Sequence, residues 1–444
     1  MDPYWVALMG AILLFALLAA GVHIGIALAI SGFLGISFLG GFQQAVSMNV
    51  TAFYHKISNP ALITLPLFIL MGYLASGGGI SRNLFDSLTL WLGRFRGGVG
   101  IATVIGCSCF GTVCGSSVVT TAVFSKICAP EMRHQGYNKS VSYAICASSG
   151  SIGMLIPPSI IAIVYGMLSG VSIGKVLMAG VAPGILWALL FSLTIMLIGR
   201  FKPAHIPISP IAATWRQRFV SLKLWWPIVI VAVTIFGGMY GGVFSPNEAA
   251  AVASFVLFAA YLMANVIRQK GAKRQQRVKE MKSLFTDTAT TSALIFLVMG
   301  AATIFSNFLV LTGVATKILD FVSSWGLSKF GIILLFSFIY LILGCFLDSI
   351  SMLCITIPVF NPIINAAGID PIWYATIVIV SVEIGLITPP VGLNLYAAKG
   401  VAEPDVSLED IIAGILPFLA AELVSLIIIF ACPPISTFLP SYVG

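Results

Sequence analysis

Charged side chains are scarce in this 444-residue chain. Only 9% of its residues are Asp, Glu, Lys or Arg, against about a quarter in a soluble domain, and 59% are hydrophobic. No separate soluble domain is expected. The four histidines form no cluster and the eight cysteines no pair with metal-ligand spacing, which argues against a transition-metal site. The sequence also lacks a G-x-x-x-x-G-K-[ST] motif, which argues against ATP as the energy source.

Long apolar stretches are abundant instead. They recur from Tyr4 to Phe438, and each is long enough to cross a hydrocarbon core of about 30 Å. The first stretch has no basic flank and no small-residue cleavage site, so it is expected to be a spanning helix of the mature protein. The pattern predicts an all-α polytopic membrane protein with ten spans, near 4–21, 22–40, 60–77, 138–168, 174–199, 224–241, 244–267, 285–309, 371–398 and 407–432.

The basic residues predict an orientation. If the N-terminus is outside, 19 Lys and Arg residues lie on the cytoplasmic side and four lie outside. Cytoplasmic loops carry such an excess, so both termini are expected outside. The basic run at 268–282 is then interpreted as a cytoplasmic loop near lipid headgroups rather than a nucleic-acid site.

The chain contains an internal repeat with one constant offset. Ser117 recurs as Ser349, and five glycines and prolines recur in the same register: Pro130, Gly136, Gly153, Pro157 and Pro158 match Pro362, Gly368, Gly385, Pro389 and Pro390. The first copy begins with the third span and the second with the eighth, which enter from opposite sides. This arrangement is typical of secondary transporters with inverted repeats.

Two segments, 98–130 and 328–361, predict re-entrant helical hairpins. Each has two apolar arms of about a dozen residues around a small polar tip, Gly111–Ser117 and Gly344–Ser351. Twelve helical residues rise about 18 Å, which is too short to span. The alternative, two tightly turned full spans, requires longer arms.

A helix interrupted at its middle follows each hairpin. The breaks are placed at Ser148–Ser159 and Glu383–Asn394, where paired prolines and glycines disfavour a continuous helix. Freed carbonyls can ligate a cation, and the N-termini of the following half-helices suit an anion. A structural kink is the simpler alternative. Asp348, in the second tip, is expected to take part in ion binding.

Three glutamates lie in or next to apolar segments. Glu383 lies at the edge of the second break and is expected to bind an ion, cap the half-helix or face a partner group. Glu248 and Glu422 match no motif and are interpreted as structural.

These features divide the chain into four regions. They are N-terminal scaffold helices (1–59), the first repeat with its broken helix 138–168 (60–200), scaffold helices with the basic loop (201–284), and the second repeat with its broken helix 371–398 (285–444). An amphipathic linker is predicted from the helical spacing of Leu84, Phe85, Leu88, Trp91 and Leu92.

Several motifs resemble the large membrane subunit of the tripartite ATP-independent periplasmic (TRAP) transporters, the DctM-like family. They are G-V-H-I-G-I-A-L from Gly21, P-L-F-I-L-M-G at 66–72, G-S-S at 115–117, P-E-M-R-x-x-G-Y at 130–137, I-P-P-S at 156–159 and G-L-I-T-P-P-V-G-L-N-L at 385–395. The resemblance covers almost the whole chain. The first hairpin departs from the pattern at Thr120, Thr121 and Phe124, where small apolar residues are more usual.

The resemblance implies a function. Such subunits pair with a small four-helix membrane subunit (DctQ-like), receive a small organic anion (a carboxylate, sugar acid or sulfonate) from a periplasmic binding protein, are driven by sodium and move by an elevator motion in the bacterial inner membrane. Motif matching implies one sodium site at Ser116, Ser117, Ser149, Gly150 and Gly153, a second at Gly344, Asp348, Ser349, Thr388 and Gly392, and substrate contacts at Pro157, Pro158, Ser159, Pro389, Pro390 and Asn394.

Other functions remain open from the residues alone. A channel would also use paired re-entrant elements, and an ion-coupled carrier could work without a binding protein. An enzyme is not expected, because no clustered nucleophile and base lie at the repeat centre.

Overall fold

The computed structural model describes residues 3–208, 213–263, 271–314, 317 and 327–442, and these are helical without any β-strand. The predicted all-α class is confirmed. The first half contains α1 Pro3–Ala19, α2 Ile24–Gly40, α3 Phe42–Ile57, α4 Thr64–Gly77, α5 Ile80–Leu92, α6 Gly98–Cys114, α7 Ser117–His134, α8 Lys139–Leu155, α9 Ile160–Ser169, α10 Ile173–Ala179 and α11 Val181–Phe201. The second contains α12 Trp215–Leu222, α13 Trp226–Ala232, α14 Gly238–Tyr240, α15 Pro246–Tyr261, α16 Gly271–Thr312, α17 Lys329–Gly344, α18 Ser349–Ala366, α19 Pro371–Ile387, α20 Leu393–Gly400, α21 Leu408–Ala431 and α22 Pro434–Thr437.

Many of these helices could cross a membrane. In the described ranges, six are long and apolar enough, or seven if the bent pair α8–α9 counts as one span. Five shorter apolar helices, α1, α2, α6, α17 and α19, have 16 or 17 residues each. The chain is therefore a multi-pass membrane protein, and the count of ten spans stays a prediction.

Two elements differ from the sequence-based expectation. Helix α3 was not predicted, because its Gln, Asn and His residues dilute the apolar pattern. The part of the expected basic loop that is described, 271–282, is helical and continues into the following span as the 42-residue α16. Lys and Arg are good helix formers, so a basic run can extend a spanning helix into the headgroup region. Residues 268–270 lie outside the described residues.

The helices form two packed groups. In the first, α16 lies against α2, α3 and α4, and Gly32 and Gly35 of α2 lie close to Phe305 and Phe308 of α16. In the second, α8 lies at the centre and is covered by α6, α7 and α21. Every residue from Val141 to Leu155 of α8 is buried. A helix that is buried on all sides lies in the core of the molecule rather than at its lipid surface.

Helix α5 is amphipathic, as predicted. Leu84, Phe85 and Leu88 are buried along one face. Near its C-terminus, the Arg218 guanidinium of α12 lies 6.0 Å from the Trp91 ring, and Arg218 Nε donates a hydrogen bond to Leu90 O over 3.1 Å. These contacts join α5 to α12.

Candidate functional site

The tip of each hairpin is hydrogen-bonded to the break of the helix that follows it. In the first copy, Ile160 N–H donates to Gly115 O over 3.2 Å. In the second copy, Gly392 N–H donates to Cys345 O over 3.4 Å. The two donors occupy equivalent positions in the repeat, because their separation along the chain equals that of Pro158 and Pro390. The repeat is therefore present in the tertiary structure and not only in the motifs.

The hairpins also touch the broken helices through glycine pairs. A Cβ atom added at Gly111 would lie 2.6 Å from Gly153 Cα, and one added at Gly344 would lie 2.7 Å from Gly385 Cα. Real Cβ atoms do not come this close, so any larger residue would push the hairpin away from the helix. Both copies thus have the same crossing of two helical backbones.

The breaks are shorter than predicted. Helix α8 continues to Leu155 and α19 to Ile387, so that Ser149, Gly153 and Glu383 are helical. The non-helical residues are only 156–159 and 388–392. Glycine permits a break but does not force one, whereas proline prevents the helix from continuing. Both Pro-Pro bonds, 157–158 and 389–390, are cis.

The hairpin arms are longer than the predicted dozen residues. Helices α6 and α7 have 17 and 18 residues, and α17 and α18 have 16 and 18. The helices include most of the polar residues near the tips, which leaves shorter turns than the sequence predicts. Gly115 and Ser116 alone separate α6 from α7, and Gly115 has a left-handed φ of 66°.

The hairpin bases make contacts at opposite ends of the α8–α9 pair. At the base of the first hairpin, Arg133 donates to both Asp405 oxygens over 2.9 and 2.7 Å, just after the second broken helix. At the base of the second, Asn361 Nδ2 donates to Ser169 O over 3.2 Å. Ser169 is the last residue of α9, whereas Arg133 lies shortly before the first residue of α8, so these contacts are at opposite ends of the α8–α9 pair.

The residues of the first predicted sodium site lie together around the start of α7. Ser116 caps this helix by accepting from Val119 N–H over 3.5 Å, and its carbonyl accepts from the Thr120 hydroxyl over 2.8 Å. A Cβ at Gly150 would collide with Thr121 Oγ1, and one at Gly153 would lie 2.7 Å from Thr120 Oγ1. The two threonines that depart from the family pattern thus fill the space beside these glycines.

Ser149 differs from its neighbours on α8. Its hydroxyl is buried, and it has no hydrogen-bond partner among the residues that the structure describes. The adjacent Ser148 hydroxyl donates to Ala144 O over 2.8 Å. Burying a hydroxyl without a hydrogen-bond partner costs free energy. The Ser149 oxygen is therefore available as a ligand for a cation.

Asp348, in the second predicted sodium site, is exposed rather than buried. It caps α18, where its Oδ2 accepts from the backbone N–H groups of Ile350 and Ser351 over 3.1 and 3.0 Å and its Oδ1 accepts from the Ser351 hydroxyl. Its charge is therefore stabilised by a helix N-terminus. The part of Asp348 in sodium binding stays a prediction.

The other members of the second site lie at the second tip and the second break. Gly344 ends α17, and Ser349 is buried at the start of α18. The Thr388 hydroxyl donates to Ile384 O over 2.6 Å, and Gly392 precedes α20.

The predicted substrate residues differ between the copies. Pro157, Pro158 and Ser159 are buried, whereas Pro389 is half-buried and Pro390 is exposed. Asn394 is fully buried, and its Nδ2 donates to Ser151 Oγ over 3.5 Å. The structure does not bring all six into one open pocket.

A small cavity of about 60 Å³ lies beside the first tip. Cys114, Ser116, Gly72, Tyr73 and Thr291 line it together with neighbouring residues. Pockets for small organic ligands usually have volumes of several hundred cubic ångströms. In this arrangement the cavity has room for water or an ion but not for an organic anion.

Two acidic residues in the core were not assigned a site from the sequence. Glu383 is fully buried, and its Oε1 accepts from the Ser117 hydroxyl over 3.3 Å. This contact agrees with one of the three roles expected for Glu383, which is to face a partner group. Glu422 is also fully buried, beside the Ser151 hydroxyl. The sequence around Glu422 matches no repeat motif and so offered no local signal, although an acidic residue in a spanning helix is itself a sign of function.

Comparison with known proteins identifies the family. A model described as "Tripartite ATP-independent periplasmic transporter, DctM component" matches residues 11–435. The chain belongs to the DctM family. The C4-dicarboxylate TRAP transporter large permease protein DctM of Pseudomonas aeruginosa is similar to it, with 33% identity over 383 residues, which are 86% of this chain and 87% of that protein.

Two further proteins resemble this DctM component. The isethionate TRAP transporter permease protein DctMQ of Oleidesulfovibrio alaskensis is 31% identical over 436 residues, which are 96% of this chain and 65% of that protein. The solved structure of the YdaH transporter from Alcanivorax borkumensis has a TM-score of 0.61 at 14% identity and covers 88% of both chains, which shows a shared fold. A DctM component is the large permease of a secondary transporter of organic anions and not an enzyme, as the sequence predicted.

Proposed function

We propose that this DctM component performs sodium-coupled uptake of a small organic anion across the bacterial inner membrane by an elevator motion. The observation that carries the proposal is the pair of hydrogen bonds that join each hairpin tip to a helix break, Gly115 to Ile160 and Cys345 to Gly392. They bring interrupted backbone from both repeats into the interior, where peptide groups can hold an ion.

The contacts support re-entrant hairpins. The first tip meets the α8–α9 pair at its break, so the hairpin extends only to the middle of that broken helix. Its base lies where the second broken helix ends, and the base of the second hairpin lies where the first ends. Two hairpins that enter from opposite faces account for both contacts.

Oxygen atoms near the tips and breaks suit sodium, which like other hard cations binds oxygen ligands. We assign the first ion to the Ser116 carbonyl and the Ser117 and Ser149 hydroxyls, beside Gly150 and Gly153. The second lies near Gly344, Ser349, Thr388 and Gly392, with Asp348 fixing the start of α18. Each sodium charge that moves down a potential of about 100 mV contributes about 2.3 kcal/mol to accumulation.

The two packed groups of helices support an elevator motion. The hairpins and broken helices move as one body, because their tips and breaks are bonded to each other. Helices α1–α4 and α16 form the scaffold, and α5 joins the two groups through its buried face.

Chemistry that the relatives share supports the substrate class. The names of two relatives include a C4-dicarboxylate and isethionate, and both are small anions. We place the anion near the starts of α9 and α20, with Pro157, Pro158, Ser159, Pro389, Pro390 and Asn394 around it, where helix N-termini carry partial positive charge. A periplasmic binding protein delivers it, and a small four-helix membrane subunit completes the transporter, with both termini of this chain in the periplasm.

Uptake into liposomes tests the proposal. The large subunit is reconstituted with its small subunit and binding protein, and radiolabelled succinate and isethionate serve as first probes for a wider panel of organic anions. Uptake should need the binding protein and an inward sodium gradient. Equal uptake with potassium in place of sodium would show a channel or an uncoupled carrier instead.

A further inference from the structure

A groove of about 540 Å³ lies between the start of α8, the end of α11 and the start of α21. None of the residues predicted to hold sodium or substrate lines it. Helices α11 and α21 both lie in stretches long and apolar enough to cross a membrane, and the groove lies where one of them ends and the other begins. It is therefore expected at the boundary between the lipid chains and the headgroups.

Close contacts among the three elements form the groove. A Cβ atom added at Gly414 of α21 would collide with Ser140 O of α8, so these two helices touch along one side of it. Asn138 N–H donates to His205 O over 3.0 Å, which fastens the segment after α11 to the start of α8. This hydrogen bond holds His205 and the preceding Lys202 at the outer end of the groove.

The lining changes from polar to apolar along the groove. Lys202 and His205 follow the end of α11, and Asn138 precedes the first residue of α8, so groups that can donate hydrogen bonds gather at the outer end. Further into the spans the lining is apolar and includes Leu197 and Pro417. A polar outer end and an apolar inner end match a phospholipid, which has a headgroup and acyl chains.

The Lys202 ammonium is available to bind an anion. It is exposed, and within the described ranges its side chain has no hydrogen-bond or ion-pair partner. No Asp or Glu is among the described residues that line the groove. Glu409 and Asp410 precede the lining residues of α21, and Asp410 pairs with Lys139 over 2.6 Å. The outer end therefore suits a headgroup with a net negative charge.

We propose that this groove binds one anionic phospholipid, with its phosphate near Lys202 and His205 and an acyl chain along Leu197 and Pro417. Basic pockets between spanning helices bind anionic headgroups, and the volume lies within the range of about 300–1,000 Å³ that is usual for pockets with organic ligands. In the orientation proposed above, the lipid belongs to the cytoplasmic leaflet. It is a structural ligand and differs from the transported anion.

Such a lipid contacts three helices that move together in the proposed transport cycle. Helix α8 is the centre of the second packed group, and α11 and α21 pack against it and against each other. A ligand that binds only the folded state raises its melting temperature. A lipid in the groove therefore stabilises the body that carries the hairpins and moves with it.

Native mass spectrometry and thermal unfolding test the proposal on the full-length chain, purified in detergent and stripped of lipid. The probes are phosphatidylglycerol, phosphatidylcholine with the same chains, and inorganic phosphate. Phosphatidylglycerol should bind one molecule per chain and raise the melting temperature, and the other two should do so less or not at all. Equal binding of phosphatidylcholine would contradict recognition of the headgroup charge. An equal rise with inorganic phosphate would show an anion site without a lipid.

A charge variant tests the outer end of the groove. Lys202→Gln should weaken phosphatidylglycerol binding about fivefold, which is the usual effect of one basic side chain near a membrane surface. Lys126→Gln is the matched control, because Lys126 is also exposed but does not line the groove. It should leave the affinity unchanged. Equal affinities in the two variants would overturn the assignment of the headgroup to Lys202.

A size variant tests the inner part of the groove. Ala413 is exposed and lines the groove, so Ala413→Phe fills the space without replacing a buried residue and should abolish phosphatidylglycerol binding. Ala420→Phe, at an exposed position two turns further along α21, is the control and should bind the lipid like the unchanged chain. Binding that survives Ala413→Phe would overturn the proposal. A dimer that dissociates in this variant would assign the groove to a second copy of the chain and would contradict the lipid.

Discussion

Gly344 and Gly385 pack backbone against backbone, with only 2.7 Å between Gly385 Cα and the position that a Gly344 Cβ would take. The same contact joins Gly111 and Gly153 in the first copy. A side chain at either crossing would separate a hairpin from the broken helix that its tip must reach. Gly153 and Gly385, which belong to the repeat in the sequence, are thus also the residues that the hairpins contact.

We first predict the effect of filling this crossing. Gly344→Ala should destabilise the protein by about 1–3 kcal/mol, as is usual for overpacking, and should impair uptake. Gly111→Ala should act in the same way in the other copy. The melting temperature of the purified protein measures the change. Gly400→Ala is the control, because no atom lies within 4 Å of its added Cβ; equal melting temperatures for Gly344→Ala and Gly400→Ala would refute the close contact.

The second prediction concerns the first sodium site. Ser149→Ala removes the unpartnered hydroxyl and should lower the apparent sodium affinity about tenfold, since one oxygen ligand is lost. Sodium that binds the folded state raises the melting temperature, so a NaCl titration against KCl reads the affinity. Ser148→Ala removes the neighbouring hydroxyl, which is already bonded to Ala144 O, and should leave it unchanged. Equal sodium responses in the two variants would exclude Ser149 as a ligand.

The third prediction is a pH dependence. The hydrogen bond from the Arg133 guanidinium holds the pKa of Asp405 below its ordinary value. Because the folded pKa is the lower one, the stabilising contribution of this contact is fully present above about pH 4 and is lost as the pH falls through the folded pKa. Arg133→Gln should lower the melting temperature at pH 7, and the difference from the unchanged protein should shrink in acid.

Arg82→Gln is the control for that experiment. Arg82 lies 3.8 Å from Asp86, and both side chains are largely exposed. Such pairs contribute little to stability, so this variant should melt like the unchanged protein at pH 7. A difference between Arg133→Gln and the unchanged protein that stays constant down to strong acid would argue against the Asp405 contact.

The fourth prediction is a topology. Phe95 and His134 are exposed at the two ends of the first hairpin, and Ser328 and Asn365 are exposed at the two ends of the second. In a background that lacks the exposed Cys432, single cysteines at the first two positions should react with a membrane-impermeant reagent from one face. Cysteines at the other two should react from the opposite face. Labelling of one hairpin's two ends from different faces would show ordinary crossings.

Much of the fold could be predicted because its signals are local. Runs of apolar residues indicated the membrane helices, and the proline pairs indicated both breaks. The amphipathic spacing of Leu84, Phe85 and Leu88 indicated α5. The residues at which the broken helices end were predicted less accurately. The helices extend to Leu155 and Ile387, because only the prolines stop them.

The candidate site was predicted less well, because burial is a property of the whole molecule. The sequence places Asp348 in a small polar tip, but it does not show that the N-terminus of α18 holds its carboxylate or that the side chain is exposed. Glu422 matches no motif, and only the structure shows that it lies in the core beside Ser151.

The sequence by itself determined the helical class, the repeat and the family, since each depends on residue types and their spacing along the chain. Only the tertiary structure decided which acidic side chains lie at the surface of the chain and which lie in its interior. The reason is that residues far apart in the chain, such as Ser117 and Glu383, become neighbours only when the two repeats pack together.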